Sequence, residues 1–435
     1  MFRRRIQLGL LHVALTITLL PINSTLNRVM IKELALSATL VAALASLPYL
    51  ISPLQVSVGA FSDRHAIFGL RRTPFILLGL LMCVAGVVLA PQAAFNLAEN
   101  FGRGLWSGAL IFGLWGMGYN LAAVSYLSLA SEASGKERGK TIAVMWFMMI
   151  VSIILTSIWL SRMVSPYSPA ALVVAFRRIG LLALILGLIG LFRLEERLQG
   201  AERTRGEERL SWRAIWRSVW GNAQARTFFI YLTLLLTAIL GQDILLEPYA
   251  AEAFDLTVRE TTRITSIWGV FVLLALVVTG WLETRTSKKR LAALGGLLVL
   301  LGFGLLAAGG LAASSGMFYL GLMLLGSGTG MSTVSNLSLM LEMTVEGRVG
   351  LFIGAWGMSN AISRLIGSLL GAATRDLIRA FAGDSVAGYI TVFALMTLMV
   401  GVTLLMLRRI DVRAFRQQAE ESFPLAQRAA MATDF

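Results

Sequence analysis

Apolar residues run through this chain in blocks of about twenty, separated by short polar links, and twenty residues is the length an α-helix needs to cross a bilayer. Twelve such blocks can be drawn, at 6–29, 36–61, 73–95, 105–131, 141–164, 172–194, 227–250, 262–282, 290–313, 317–342, 350–373 and 386–409. The pattern predicts an all-α polytopic membrane protein with twelve transmembrane helices.

Part of the pattern is written twice. Val124, Ser125, Leu127, Ser128, Leu129, Glu132, Arg138 and Trp146 recur 210 positions later as Val334, Ser335, Leu337, Ser338, Leu339, Glu342, Arg348 and Trp356. Each copy is the end of one apolar block, a charged link and the start of the next. Steps of three and four put Ser125, Ser128 and Glu132 on one helix face. The duplication predicts two pseudo-symmetric six-helix halves, residues 1–195 and 226–410, joined by a charged linker at 196–225 and followed by a tail at 411–435.

Composition supports the membrane reading, because 57% hydrophobic residues, 14% charged residues and a mean hydropathy of +0.75 are too apolar for a soluble chain of 435 residues. Of the 38 Lys and Arg residues, 27 fall at the amino terminus, the even-to-odd links and the tail, 10 fall at the opposite links, and Arg364 lies inside a span. Positive residues stay on the cytoplasmic side, so both termini are expected there. The net charge of +14 then belongs to a rim facing anionic lipid, and nucleic-acid binding is excluded. The opening MFRRRIQLGLLHVALTITLL imitates a signal peptide, but no small-residue cleavage site follows, so it reads as a retained first span. Cys83 stands alone and excludes an internal disulfide.

Within the spans, polar residues are the informative ones. His12, Thr16, Asn23 and Asn27 fall within about 60° of one another at the helical period, a stripe that must face protein or water. It reads as a cavity wall or as helix packing. Arg28 and Lys32 follow near the outer end. Span seven carries Gln242, Asp243 and Glu247, with the two carboxylates one turn apart on a face that is apolar further in. Shifted by 220 positions, they correspond to Asn23 and Asn27. In two-repeat transporters spans one and seven face each other across a central cavity, and carboxylates in a span are functional candidates. Their candidate partners are Arg28 and Arg364. Proton uptake is one use, and a fixed ion pair sealing the outer side is the alternative.

The link after span two, GAFSDRHAIFGLRRTPF, places Gly59, Asp63, Arg64, Gly69, Arg71 and Arg72 together. A small residue lets helices approach, an acid binds a helix amino terminus, and basic residues reach carboxylates across the half-to-half boundary. We read a cytoplasmic latch. Its echo at 280–290 keeps Gly280 and Arg285 but has Thr284 in place of the acid. The repeated pairs Glu132 with Arg138 and Glu342 with Arg348 complete it.

These residues carry a resemblance. Twelve spans in two repeats with a Gly-x-x-x-Asp-Arg latch resemble the major facilitator superfamily, although its second Gly and basic pair usually sit closer than Gly69, Arg71 and Arg72 do here. SDRHAIFGLRRTPFI, LNRVMIKEL at 26–34 and GQDILLEPYAAEAF at 241–254 resemble one branch, the PucC-type family of bacteriochlorophyll delivery and light-harvesting assembly proteins. The likeness extends over roughly 7–409. It implies a factor that inserts, protects or delivers pigment for antenna apoproteins. It carries over no catalytic or pigment-ligand residue. No cofactor is implied for the protein itself, bacteriochlorophyll or chlorophyll being cargo, and the partners implied are membrane lipid, the tetrapyrrole and antenna polypeptides. His12 could ligate a pigment magnesium, although a lone His on a protein-facing stripe more often only hydrogen-bonds.

Other signals fail. GKT at 139–141 imitates a phosphate loop, but Ser134 stands where its first Gly belongs. The GSGTG run at 326–330 reads as close helix contact, and two His with one Cys cannot build a zinc cluster. No enzyme is indicated. In the linker, Trp212, Trp216 and Trp220 at four-residue spacing beside arginines suggest a helix at the headgroups, or else a docking surface. Three functions follow: a tetrapyrrole carrier or assembly factor, a proton-coupled porter of a small amphipathic solute, and a non-transporting antenna scaffold.

Overall fold

Apolar sequence at helical length becomes helix, and short links make successive helices antiparallel. The computed structural model describes residues 2–51, 67, 69–134, 138–195, 223–342 and 349–411. In chain order the helices are α1 (Phe2–Pro21), α2 (Ala38–Ala45), α3 (Leu47–Ile51), α4 (Thr73–Glu99), α5 (Phe101–Ser134), α6 (Arg138–Met163) and α7 (Pro169–Leu191). The second half holds α8 (Ala223–Gly241), α9 (Leu246–Ala253), α10 (Val258–Leu282), α11 (Lys288–Leu311), α12 (Ser315–Glu342), α13 (Val349–Ala382) and α14 (Ser385–Arg409).

Among the described residues ten helices are long and apolar enough to cross a membrane. The expected second span is described only as α2 and α3, because residues 52–66 lie outside the described set. The expected eleventh is α13, a 34-residue helix that carries Arg364, Arg375, Asp376 and Arg379. Large apolar side chains such as Leu110, Leu155, Val277 and Leu398 point outward, as lipid requires.

The packing repeats with the sequence. In the first half α1 packs on α6 and α7, and α4 packs on α5 and α7; in the second, α8 packs on α13 and α14, and α11 packs on α12 and α14. Glycines allow the closest approaches. A Cβ on Gly79 would lie 2.6 Å from the backbone of α5, and one on Gly302 would lie 2.8 Å from the backbone of α12. The two helix pairs are counterparts in the halves, and such backbone proximity drives helix association where lipid supplies no hydrophobic force.

Among the described residues, spans one and seven depart from regular α-helix next to the seam between the halves. The first runs on from Phe2 to Glu33, but Ile22–Leu26 and Val29–Glu33 are π turns. The seventh breaks after Gly241 into a 3₁₀ turn, Gln242–Ile244, before α9 resumes. Pro248 lies in the first turn of α9, where its missing N–H is tolerated but cannot continue the ladder from α8.

Among the described residues the halves meet at one end of the bundle, the far side from the amino terminus. There α6 packs on α10, α2 and α3 pack on α13, and the π turns of the first span touch α9 and α10.

Candidate functional site

A cavity of about 410 Å³ lies between the halves, just inside this seam. Of the residues singled out in the sequence, His12, Thr16, Asn23, Gln242, Asp243, Glu247 and Arg364 all line it. Asn27 and Arg28 do not; they are buried beyond it. The stripe drawn at 100° per residue holds as far as the first π turn. From there hydrogen bonds span five residues, which rotates Asn27 off the wall and brings Ser24 in. Asn27 instead bonds the Asn23 carbonyl at 3.0 Å.

The break in span seven separates its two acids. Asp243 accepts from Arg364 at 2.6 Å and from Gln242 Nε2 at 3.0 Å. Both members of that ion pair keep about a quarter of their side-chain surface open, 26% and 28%. The Arg364 guanidinium also lies 5.3 Å from the Tyr49 ring of the opposite half. Glu247 has neither expected cationic partner. Its Oε1 takes hydroxyl hydrogens from Ser24 in the first half and from Thr265 of α10, the latter at 3.0 Å, while Oε2 is buried without a partner. Arg28 is held by Glu33 and by the Leu256 carbonyl at 3.3 Å.

Around this polar end the walls are apolar and aromatic. Leu232, Leu235, Leu236, Ile239 and Leu240 come from α8, and Trp146, Trp268 and Trp356 from α6, α10 and α13. The sequence reading left Trp146 and Trp356 without a role, although they are matched positions of the duplicated stretch. Tyr49, Tyr119, Thr265, Asn336 and Asn360 also line the cavity and gave no signal, since an uncharged polar residue in an apolar block does not stand out as a carboxylate does.

Beyond the cavity, polar bonds stitch the halves together. Thr25 and Thr262 hydroxyls lie 3.0 Å apart, Ser157 donates to the Thr262 carbonyl, and Ser266 donates to the Ile154 carbonyl at 3.2 Å. Asp376 of α13 accepts the backbone N–H of Ala38 and Thr39 at 3.2 and 2.8 Å, and so caps α2 across the boundary. Fully buried Arg375 holds Asp376 at 2.9 Å and Glu252 at 2.8 Å, and Tyr389 donates to Glu252 at 3.0 Å.

The latch positions behave differently where they are described. Glu195 receives the backbone N–H groups of Arg71, Arg72 and Thr73 at 2.7 to 3.1 Å, capping α4 from within the same half. Lys288 pairs with Glu342 at 2.6 Å, also within one half. Arg285 stacks on Trp281 at 4.1 Å. A Cβ on Gly280 would meet nothing within 4 Å, so close helix approach does not explain that glycine. Gly59, Asp63, Arg64, Arg348 and the linker tryptophans lie outside the described residues, as do the side chains of Glu132 and Arg138. These latch contacts stay inside a half, and the contacts between halves among the described residues lie on the far side.

Residues 25–415 match the family described as PUCC protein. The chain belongs to the PUCC protein family. A protein of Rhodobacter capsulatus named "Bacteriochlorophyll synthase 44.5 kDa chain" is 30% identical over 88% of this PUCC-family chain and 89% of its own length. "Protein PucC" of Cereibacter sphaeroides is 28% identical over 90% and 88%. Among solved structures, the nucleoside transporter NupG superposes with a TM-score of 0.70 at 15% identity, covering 97% of this chain and all of that one. A bacterial homolog of the lysosomal transporter Spinster, in an inward-facing and unoccupied conformation, gives 0.72 at 13%, covering 96% and 98%. The fold is that of the major facilitator transporters, in a multi-pass membrane protein.

One expected outcome belongs to this geometry. Because the Asp243–Arg364 pair is charge-assisted and only about a quarter exposed, Arg364→Ala should cost about 1.5–3 kcal/mol by stranding the carboxylate. Thermal unfolding in detergent checks it. Pairing the substitution with Asp243→Asn should recover part of the loss, a coupling that a double-mutant cycle reads directly.

Proposed function

We propose that this protein is a membrane carrier that takes bacteriochlorophyll or chlorophyll into the cavity between its halves and hands it on for light-harvesting complex assembly. The observation that carries this reading is the cavity's division into an aromatic and aliphatic wall and one polar end, in a chain of this family. Indoles of Trp146, Trp268 and Trp356 offer flat faces to a tetrapyrrole macrocycle. Arg364 and the hydroxyls of Tyr49 and Tyr119 offer donors to the carbonyl groups on its rim. A magnesium-ligating imidazole normally donates its second N–H to an acceptor, and His12 Nδ1 is buried with none. Recognition in this reading therefore rests on the rim and face of the macrocycle rather than on its metal. No chemistry on the pigment is assigned to the protein. The distribution of Lys and Arg supports cytoplasmic termini, which makes the seam the outer closure and the cavity inward-facing.

The test is purification from pigment-producing cells with an absorption spectrum of the bound fraction. Tetrapyrrole absorbance should co-purify, and Trp146→Ala or Trp356→Ala should weaken pigment binding about tenfold each, roughly 1.4 kcal/mol. Protein that carries no pigment and takes up none on titration overturns the proposal. A proton-coupled porter is the second reading, favoured by the surroundings of Glu247.

A further inference from the structure

Glu247 is a carboxyl group buried to 3% exposure where the two halves touch, and among the described residues no cation pairs with it. An ionised carboxylate in such a place requires a counter-charge or several hydrogen-bond donors, and loses several kcal/mol without them. The arrangement found is lopsided. Ser24 and Thr265 both donate to Oε1, and Oε2 has no partner at all. Two donors at Oε1 suit the carbonyl oxygen of a neutral acid, and Oε2, with none, lacks the donors that an ionised carboxylate requires.

The surrounding charges are already committed elsewhere. Arg28 is engaged by Glu33, and Arg364 by Asp243. Tyr49 lies against the Arg364 guanidinium, and His12 lines the cavity about three helical turns from Ser24. Glu247 is in the first turn of α9, yet its described donors are both hydroxyls, one from each half.

We infer that Glu247 is a proton-binding site that couples proton exchange to opening of the far side. As a neutral acid it bridges Ser24 and Thr265 and holds the seam shut. When the seam opens and water reaches it, the O–H bond breaks, the electron pair stays on the carboxylate and the proton passes to water; closing takes a proton back. The sign follows from the coupling itself: opening releases a proton, so low pH favours the closed state and rising pH the open one. The inference deepens the carrier reading and rests on its alternating access, but the proton site does not depend on which cargo is carried.

The test uses the full chain in detergent without pigment, with Cys83→Ala and a reporter at Thr262→Cys, a position buried between Thr25 and Ser157. Maleimide reacts with the thiolate, so rates are taken relative to a cysteine at exposed Phe101. The relative rate at the reporter should rise with pH when Glu247 is present. It should stay low at every pH in Glu247→Gln, which keeps the neutral shape, and Glu247→Asp should restore the response. A Gln variant that follows the same pH profile as the unsubstituted chain overturns the inference, as does a reporter indifferent to pH. Infrared spectra give a readout that does not depend on the variant's yield. The unsubstituted protein at neutral pH should show a carboxylic acid carbonyl band, and its absence counts against the proposal. Because no pigment is present, failure here and failure of the pigment-binding test are separate results.

Discussion

Arg375→Ala should be the most damaging single substitution on the far side, lowering stability by about 3–5 kcal/mol. The guanidinium has no exposed surface and serves two carboxylates, Glu252 at 10% exposure and Asp376 at 21%. Its plane also lies 5.0 Å from the Tyr389 ring. Removing it leaves two largely buried acids without their counter-charge, and Asp376 is also the cap that ties α2 to the second half. Lysine keeps the charge but loses the planar fork, so Arg375→Lys should fall between. A combined Arg375→Leu and Glu252→Leu replacement should recover most of the loss, since apolar isosteres can match a buried pair. Thermal unfolding of the purified protein measures all three; an Arg375→Ala chain within 1 kcal/mol of the parent would show that the network adds nothing.

Gly367→Val should be nearly as severe for a steric reason. Gly367 of α13 and Gly241 of α8 face each other so closely that a Cβ on Gly367 would lie 2.3 Å from the Thr237 carbonyl oxygen and 2.9 Å from the Gly241 Cα. Those contacts are backbone and cannot swing aside, so the helices must part. Overpacking of this kind costs about 1–3 kcal/mol, and more where the backbone is trapped. The parting falls next to the 3₁₀ turn that aims Asp243 at Arg364, so cavity geometry should suffer with stability. Gly280→Ala is the control: with open space around it, it should be neutral or gain up to about 1 kcal/mol from helix propensity. Melting temperatures and yields of the two variants, compared side by side, decide the point.

Much of the fold could be read because the bilayer imposes a length and the duplication imposes a plan. Val124–Trp146 and Val334–Trp356 share enough residues to align, and the helix packings they belong to do repeat. Intramembrane Asp243 and Arg364 stood out because charge is rare in spans, and they are the pair that meets. Glu252 and Arg375 were invisible for the opposite reason: near predicted span ends, charge looks like a topology signal. In the structure α9 reaches Ala253 and α13 reaches Ala382, which places both side chains inside packed protein. A fixed helical period failed at Asn27 and between Asp243 and Glu247, because π and 3₁₀ turns change the angle per residue without changing hydropathy. Most of the latch reading falls on residues outside the described set; where it is described, Glu195 caps α4 through the Arg71 and Arg72 N–H groups, and Glu342 pairs with Lys288.

Among the buried apolar side chains of the far-side join, such as Leu26, Val29 and Ile264, lie hydroxyl and backbone hydrogen bonds, Thr25 to Thr262, Ser157 and Ser266 to carbonyls, and Thr39 to Asp376. Each such bond is worth only about 0.5–1.5 kcal/mol net, because water offers nearly the same partner. Unlike the apolar contacts beside them, these bonds can be exchanged for water one at a time, so the part of the closure built from them can be unbuttoned in small steps.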